Sequence, residues 1–152
     1  MKWNDEGILI DLKVHGEKNC IIKVFTKNHG LCSGLVKGGQ TKKFRSSLQP
    51  GAQLVVYWSA RLAEHLGTFQ VDVENSRSNL FMGEKLSLYA FNSICSMITS
   101  FLMDREDQNV LYTHTKELLE QLENGECWLT KYVRWELLFL KEIGFGLELS
   151  NC

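Results

Sequence analysis

Over residues 1–79 apolar and polar positions alternate or form short apolar runs; beyond that, apolar positions recur every three to four residues. The first regime predicts strands and the second helices. Gly7-Ile8-Leu9-Ile10-Asp11-Leu12-Lys13-Val14 joins an apolar run to an alternating end and predicts a first strand. Cys20-Ile21-Ile22-Lys23-Val24-Phe25-Thr26 is rich in β-branched residues and predicts a second. Leu31-Cys32-Ser33-Gly34-Leu35-Val36 predicts a third, in which Gly34 signals a bulge or sharp bend. Residues 53–61 and 67–74 predict a fourth and a fifth, the last with clean alternation. Polar turns separate them, and Gln49-Pro50-Gly51 holds the single proline. Five short strands with a bend in the third predict a five-stranded Greek-key barrel of OB type. An SH3-like barrel fits nearly the same pattern.

After Asn75-Ser76-Arg77-Ser78-Asn79 the period changes. Phe91, Ile94, Cys95, Ile98, Phe101 and Leu102 predict an amphipathic helix over residues 84–103. Leu111, Leu118, Leu119 and Leu122 mark a second helix, stopped near Asn124-Gly125. Residues 128–143 predict a third, with Gly144 placed for a left-handed C-terminal cap. This third helix is apolar almost all round, with a thin stripe of Lys131, Arg134 and Lys141, which predicts a place at the centre of a bundle. The fold class is thus a β-barrel plus α, with an OB-fold over residues 1–79 and an α-helical domain over 80–152.

Between the third and fourth strands lies Lys37-Gly38-Gly39-Gln40-Thr41-Lys42-Lys43-Phe44-Arg45, four cations with no acid among them. A flexible cationic loop of this kind suits a polyanion. The glycines let a backbone approach closely. Lys37, Lys42, Lys43 and Arg45 can neutralise phosphates, and Phe44 offers a face for a base to stack on. The alternative is a solvated loop whose charges serve solubility. Formal net charge is only -1, but residues 1–50 carry nine Lys/Arg against four Asp/Glu, and residues 84–152 carry six against eleven. A basic front and an acidic back point to a nucleic-acid surface on the front half, unless ordinary acidic helix faces account for the asymmetry. Met1-Lys2-Trp3-Asn4-Asp5-Glu6 lacks the pattern of a signal peptide, and no apolar stretch reaches the ~20 residues that span a bilayer. The five cysteines, at 20, 32, 95, 127 and 152, form no close pair. They fit reduced thiols, so the expected location is cytoplasmic and, for a DNA binder, nucleoid-associated.

Catalytic signatures are missing. The histidines at 15, 29, 65 and 114 stand apart, and no HExxH, CxxC, GxSxG or phosphate-loop frame occurs. No closed zinc ligand set lies within the chain, so folding without zinc is expected. A non-enzymatic protein is the expectation, although a dispersed triad leaves no spacing to read. Trp58 has two readings, an outward platform for a base or barrel core, of which core is preferred. Arg61 is expected to be exposed and to contact DNA. Trp3 is expected to cap the barrel or to lie between domains.

Several runs, in order, carry a resemblance: Trp3-Asn4-Asp5-Glu6-Gly7-Ile8, His15-Gly16-Glu17, Thr26-Lys27-Asn28-His29-Gly30, Leu35-Val36-Lys37-Gly38-Gly39 and Leu48-Gln49-Pro50-Gly51. Glu64-His65-Leu66-Gly67-Thr68-Phe69, Tyr132-Val133-Arg134-Trp135-Glu136-Leu137 and Gly144-Phe145-Gly146-Leu147-Glu148-Leu149-Ser150 extend it. Together they resemble the RecO family of DNA-repair and recombination mediators, in its alphaproteobacterial form, over essentially the whole chain. The resemblance implies an OB domain and a helical domain, binding of single- and double-stranded DNA, annealing of complementary strands, and help in loading RecA onto DNA coated by single-strand-binding protein. It implies RecR and the acidic C-terminal tail of the coating protein as partners, RecA indirectly, and no enzymatic turnover. Family chains run on for roughly seventy or more residues past a Leu-Ser-x-Cys such as Leu149-Ser150-Asn151-Cys152, many with a zinc-binding cysteine cluster there. The chain is therefore read as C-terminally shortened, with the family zinc site beyond Cys152 and full mediator activity in question. A protein-interaction scaffold whose barrel binds a protein partner is the alternative function.

A receptor for an acidic tail that ends in an apolar residue needs a cation beside an apolar notch. Arg134 is the candidate, because a guanidinium grips a carboxylate bidentately; Lys131, three residues away, shares its helix face. The competing and preferred role is structural, with Arg134 paired to an acid such as Glu117 or Glu120.

Overall fold

The structure, a computed structural model, describes residues 2–62, 66–81 and 85–144, apart from the side chains of Lys43, Arg45 and Phe81. Glu64-His65 and residues 145–152, both part of the family resemblance, lie outside the described residues.

Five strands close a barrel in the order β1-β2-β3-β5-β4. They are β1 (Lys2–His15), β2 (Asn19–Thr26), β3 (Gly30–Val36), β4 (Gln53–Ser59) and β5 (Thr68–Asn75). All pairs are antiparallel except the seam where Leu35 of β3 meets Thr68 of β5. A one-turn helix, α1 (Lys42–Arg45), sits between β3 and β4. The fold is the expected five-stranded OB barrel followed by helices.

Three details depart from the sequence pattern, each for a physical reason. β1 begins at Lys2 rather than Gly7. Its start is masked by polar residues because Asp5, a buried carboxylate, replaces an apolar side chain on that face. β4 ends at Ser59, so Arg61 lies beyond it. Gly34 is not a bulge: β2 and β3 pair in unbroken register past it. A Cβ there would stand 2.6 Å from the Phe69 ring, so Gly34 makes room for an aromatic inside the barrel. A register shift falls instead in β1, between Leu9 and Asp11 in its pairing with β2. The first part of β1 thus pairs with β4 and the second with β2.

Two cores result. Leu9, Cys20, Ile22, Val24, Leu54, Val56, Trp58 and Phe69 fill the barrel. Ile8, Ile10, Phe25 and Leu31 point out of it and pack against the helices. This explains the unbroken run Ile8-Leu9-Ile10, since a strand covered on both faces has no polar side to show.

The helices are α2 (Lys85–Phe101), α3 (Asn109–Asn124) and α4 (Leu129–Glu142). Gly125 (φ 71) and Gly144 (φ 101) take the left-handed positions after α3 and α4, as the stop signals predicted. α3 carries the inner contacts through Leu111, Tyr112, Thr115, Leu118, Leu119 and Leu122. The expectation that α4 is central is overturned. Only Trp135 and Phe139 of α4 are fully buried, while Leu129, Val133, Leu137 and Leu140 are exposed. One face of α4 packs on α2 and α3, and its opposite apolar stripe has no neighbour among the described residues.

Barrel and helices are also joined by a chain of buried polar groups. Arg77 is 1% exposed, although the sequence reads as a polar linker there. Its Nη1 donates to the Gly51 carbonyl (2.8 Å) and its Nη2 to Gln53 Oε1 (2.9 Å). Its Nε lies 3.8 Å from Glu123 Oε2 on α3. Gln53 Nε2 donates to the Tyr112 hydroxyl at 2.8 Å, and that hydroxyl donates to Glu6 Oε2 at 2.9 Å. Lys116 Nζ donates to the same oxygen at 2.9 Å. Burial pushes the Tyr112 hydroxyl far above its ordinary range and pulls the Arg77 guanidinium down. Burial alone would raise Glu6, but the hydrogen bonds from Lys116 and Tyr112 outweigh it and hold this carboxyl below its usual value.

Candidate nucleic-acid interface

The cationic segment is a folded turn, not the flexible loop that its composition suggests. Gly38 N donates to Asn19 Oδ1 (3.0 Å) and Gln40 N to the Lys18 carbonyl (2.8 Å), which ties it to the β1–β2 turn. Thr41 Oγ1 donates to the Gly38 carbonyl at 2.8 Å. α1 then carries the chain to Leu48, whose N–H donates to the Phe44 carbonyl at 2.7 Å. Gly39 has a packing role in the barrel. A Cβ at Gly39 would collide with the Cys20 sulfur, so only glycine lets the turn close over the barrel end. Burial raises the Cys20 thiol, which is therefore a packing group here.

Lys37 and Lys42 are exposed. The side chains of Lys43 and Arg45 are outside those described, though their backbone lies in α1. Phe44 is half-buried and packs against the barrel core, so its ring has one face fixed by the fold. It lines a groove of about 440 Å³ with Lys37, Ser59, Thr68, Phe69 and Gln70. A second groove, of about 420 Å³, continues from Ser59 and Gln70 to Lys2, Trp3, Asn4 and Tyr57. The two grooves share Ser59 of β4 and Gln70 of β5. Arg61 is exposed, two residues past the end of β4 and close in sequence to Ser59.

Trp58 is barrel core, 3% exposed, as preferred. Its Nε1 donates to the Leu66 carbonyl (3.3 Å), and the Arg105 guanidinium lies 5.1 Å from its ring centre. Trp3 caps the barrel beside it, stacked between Trp58 at 5.4 Å and His29 at 3.9 Å. The exposed aromatic of β4 is its neighbour Tyr57. The sequence did not single out Lys2, Asn4, Tyr57 or Gln70. The signal was the period of β4, which sends Tyr57 outward once Val56 and Trp58 are taken as inward.

Of the four acids in residues 1–50, Asp5 and Glu6 are engaged by partners, whereas Asp11 is half-buried and Glu17 is exposed in the β1–β2 turn. Asp5 is enclosed: it accepts from the Asn28 N–H (2.7 Å) and Asn28 Nδ2 (3.1 Å), and its Oδ2 lies 2.9 Å from His29 Nδ1. Glu6 is held by Tyr112, Lys116 and Lys27. Asp72 and Glu74 are exposed at the far end of β5. Lys2 and Lys37 thus stand in the two grooves, and the exposed acids Asp72 and Glu74 lie toward the other end of β5.

On α4 the structural role falls to the neighbour of the residue expected to have it. Lys131 Nζ lies 3.5 Å from Glu117 Oε2. Arg134 is exposed, and no acid stands within ion-pair distance of it among the described residues. Among those residues no group of His, Cys, Asp and Glu is arranged to hold a metal ion, and no helix is long and apolar enough to cross a membrane.

Comparison with known proteins bears on the whole chain. The family model described as Recombination protein O N terminal matches residues 1–77, and that described as Recombination protein O C terminal matches residues 85–152. A DNA repair protein RecO from a Ruegeria species is 43% identical over 152 residues, and one from Cereibacter sphaeroides is 44% identical over the same span. A further RecO, from a Jannaschia species, is 37% identical. Each alignment takes in 100% of this chain but only 62–63% of the relative, so the chain spans less than two thirds of their length. With both family models matched in order across the barrel and the helices, the chain belongs to the RecO family.

Proposed function

We propose that this chain is a DNA-binding recombination mediator acting in DNA repair. It binds single- and double-stranded DNA, anneals complementary strands, and assists loading of RecA onto DNA coated by single-strand-binding protein, with RecR as partner. It works by binding rather than by enzymatic turnover. Residues 1–79 form its DNA-binding unit and residues 80–152 its helical unit. The observation that carries this is the groove at the barrel end, where exposed Lys37 stands with Phe44 and Gln70, and Lys42 is exposed in the adjoining α1. Phosphates meet Lys37, Lys42, Lys43, Arg45 and Arg61, and Phe44 packs against a sugar or base. Titrating salt against binding of a labelled oligonucleotide, alone and with RecR, tests it. Log affinity is expected to fall linearly with log salt, steeply enough to report several released counterions. Binding that ignores salt, or that occurs only to a protein partner, would establish the scaffold alternative instead.

The helical unit receives the tail of the coating protein. Helical spacing places Arg134 and Lys141 along one edge of the exposed stripe formed by Val133, Leu137 and Leu140. A cation beside apolar side chains is the chemistry that an acidic peptide with an apolar end requires. Because Arg134 is exposed, Arg134→Ala is expected to leave the melting temperature within about 1 °C, as most surface substitutions do. Affinity for the tail peptide should fall about tenfold with loss of a charge-assisted hydrogen bond. Calorimetry with the peptide reads both. Unchanged affinity with unchanged stability places the receptor elsewhere. Lys131→Ala, which loses a surface pair to Glu117, should barely affect stability.

A further inference from the structure

Beside the cationic turn, three neighbouring strands present one row of side chains outward. Asn4 of β1 is paired with Tyr57 of β4, and Tyr57 is paired with Gln70 of β5. Directly paired residues on adjacent strands point to the same side of the sheet. The side is the outer one here, because the next row, Trp3, Trp58 and Phe69, packs with the barrel core. Asn4, Tyr57 and Gln70 are all exposed, Tyr57 by 43%. A phenol ring therefore lies between two carboxamides, in the groove that also holds Lys2 and Ser59. None of the three makes a side-chain hydrogen bond or ion pair with a described residue, and none belongs to either core. The fold does not need this arrangement for its own stability.

We propose that this row is a platform for one unpaired nucleobase. The base stacks on Tyr57, and the amides of Asn4 and Gln70 hydrogen-bond its edge. The inference rests on the DNA-binding reading above and extends it to a preference for single strands. Each carboxamide offers both donors and acceptors, so any of the four bases can be accommodated. Charge sets the path of the strand. Lys2, Lys37 and Lys42 attract phosphates at one end, while Asp72 and Glu74 repel them at the other, so the backbone leaves the platform toward α1. The platform has a firm base, because the stacked Trp3 and Trp58 lie directly beneath it. In a duplex the base faces are already stacked, so the same row has nothing to hold unless a base is turned out.

The test compares a thymidine oligonucleotide with an abasic one of equal length, which carries the same phosphates and no bases. The unsubstituted protein is expected to bind the thymidine strand roughly five- to a hundredfold more tightly, the range of one stacked base. Tyr57→Ala should lower that ratio at least roughly fivefold and leave the salt slope unchanged; Tyr57→Phe should keep most of it. Tyr57→Thr, which suits a strand better than alanine, serves if the alanine variant melts early. A discrimination that Tyr57→Ala leaves undiminished, or an equal loss for both strands, overturns the platform. If the unsubstituted protein binds both strands equally, the platform is overturned and phosphate binding stands. If it binds neither, the DNA-binding reading falls and the platform with it.

Discussion

Replacing Lys37, Lys42, Lys43 and Arg45 together by alanine is expected to lower affinity for a single-stranded oligonucleotide by two to three orders of magnitude near 0.1 M salt, on the order of fivefold for each lost phosphate contact. The log–log salt slope should flatten by about three units, because each contact to a single strand contributes about 0.7. On a duplex the same change should reach nearly four units, since each contact there contributes about 0.9. Stability should hold. Lys37 and Lys42 are exposed, and among the described residues the turn is secured by its backbone, Asn19 and Thr41. Phe44 is kept because it packs against the barrel core, and its removal would confuse a lost contact with a loosened fold. Fluorescence anisotropy across a salt series reads the slope, and a thermal melt of the same preparation checks the fold. A folded quadruple variant with an unchanged slope would mean that the phosphates run elsewhere on the barrel.

Element type was legible in the sequence wherever a pattern had a single cause. The period-2 alternation of Gln70, Asp72 and Glu74 with Phe69, Val71 and Val73 marks β5, because one face is core and the other is solvent. Gly125 and Gly144 announced the ends of α3 and α4 because few other residues tolerate those angles. Patterns with two causes misled. Gly34 in a strand reads as a bulge, but the glycine answers the bulk of Phe69, a partner distant in sequence. Glycines beside lysines read as placed only for loop flexibility, but Gly39 also answers Cys20. An all-round apolar helix reads as central, yet α4 covers only one side of itself within the described residues. The candidate site was half legible. Lys37 and Lys42 stood out by charge, whereas Asn4, Tyr57 and Gln70 are ordinary residues that only strand register brings into one row.

The joint between barrel and helices was not legible at all, and it carries the largest expected effect on stability. Arg77 sits in Asn75-Ser76-Arg77-Ser78-Asn79, a run that reads as solvated linker. Its backbone turns through φ 51, which swings the side chain under the barrel to Gly51 and Gln53 and brings it beside Glu123 of α3. Arg77→Ala removes the fork and leaves the Gly51 carbonyl and Gln53 Oε1 without their donor. Glu123, 14% exposed, loses its cation but keeps Asn75 Nδ2 at 3.0 and 3.2 Å. Breaking one side of a buried charged cluster costs about 3–5 kcal/mol, which for a chain of this size lowers the melting temperature by about 10 °C. Arg77→Lys should recover little, because one ammonium cannot reach two acceptors on different residues and an acid on a third. Glu123→Gln should cost far less, since its contact with Arg77 is the long one at 3.8 Å. Urea unfolding of the three variants orders them. The network is the joint if Arg77→Ala and Arg77→Lys fall together well below Glu123→Gln. If Arg77→Ala costs less than about 1 kcal/mol, a typical single hydrogen bond, apolar packing of Ile8, Phe25 and Leu31 against α3 holds the two halves alone.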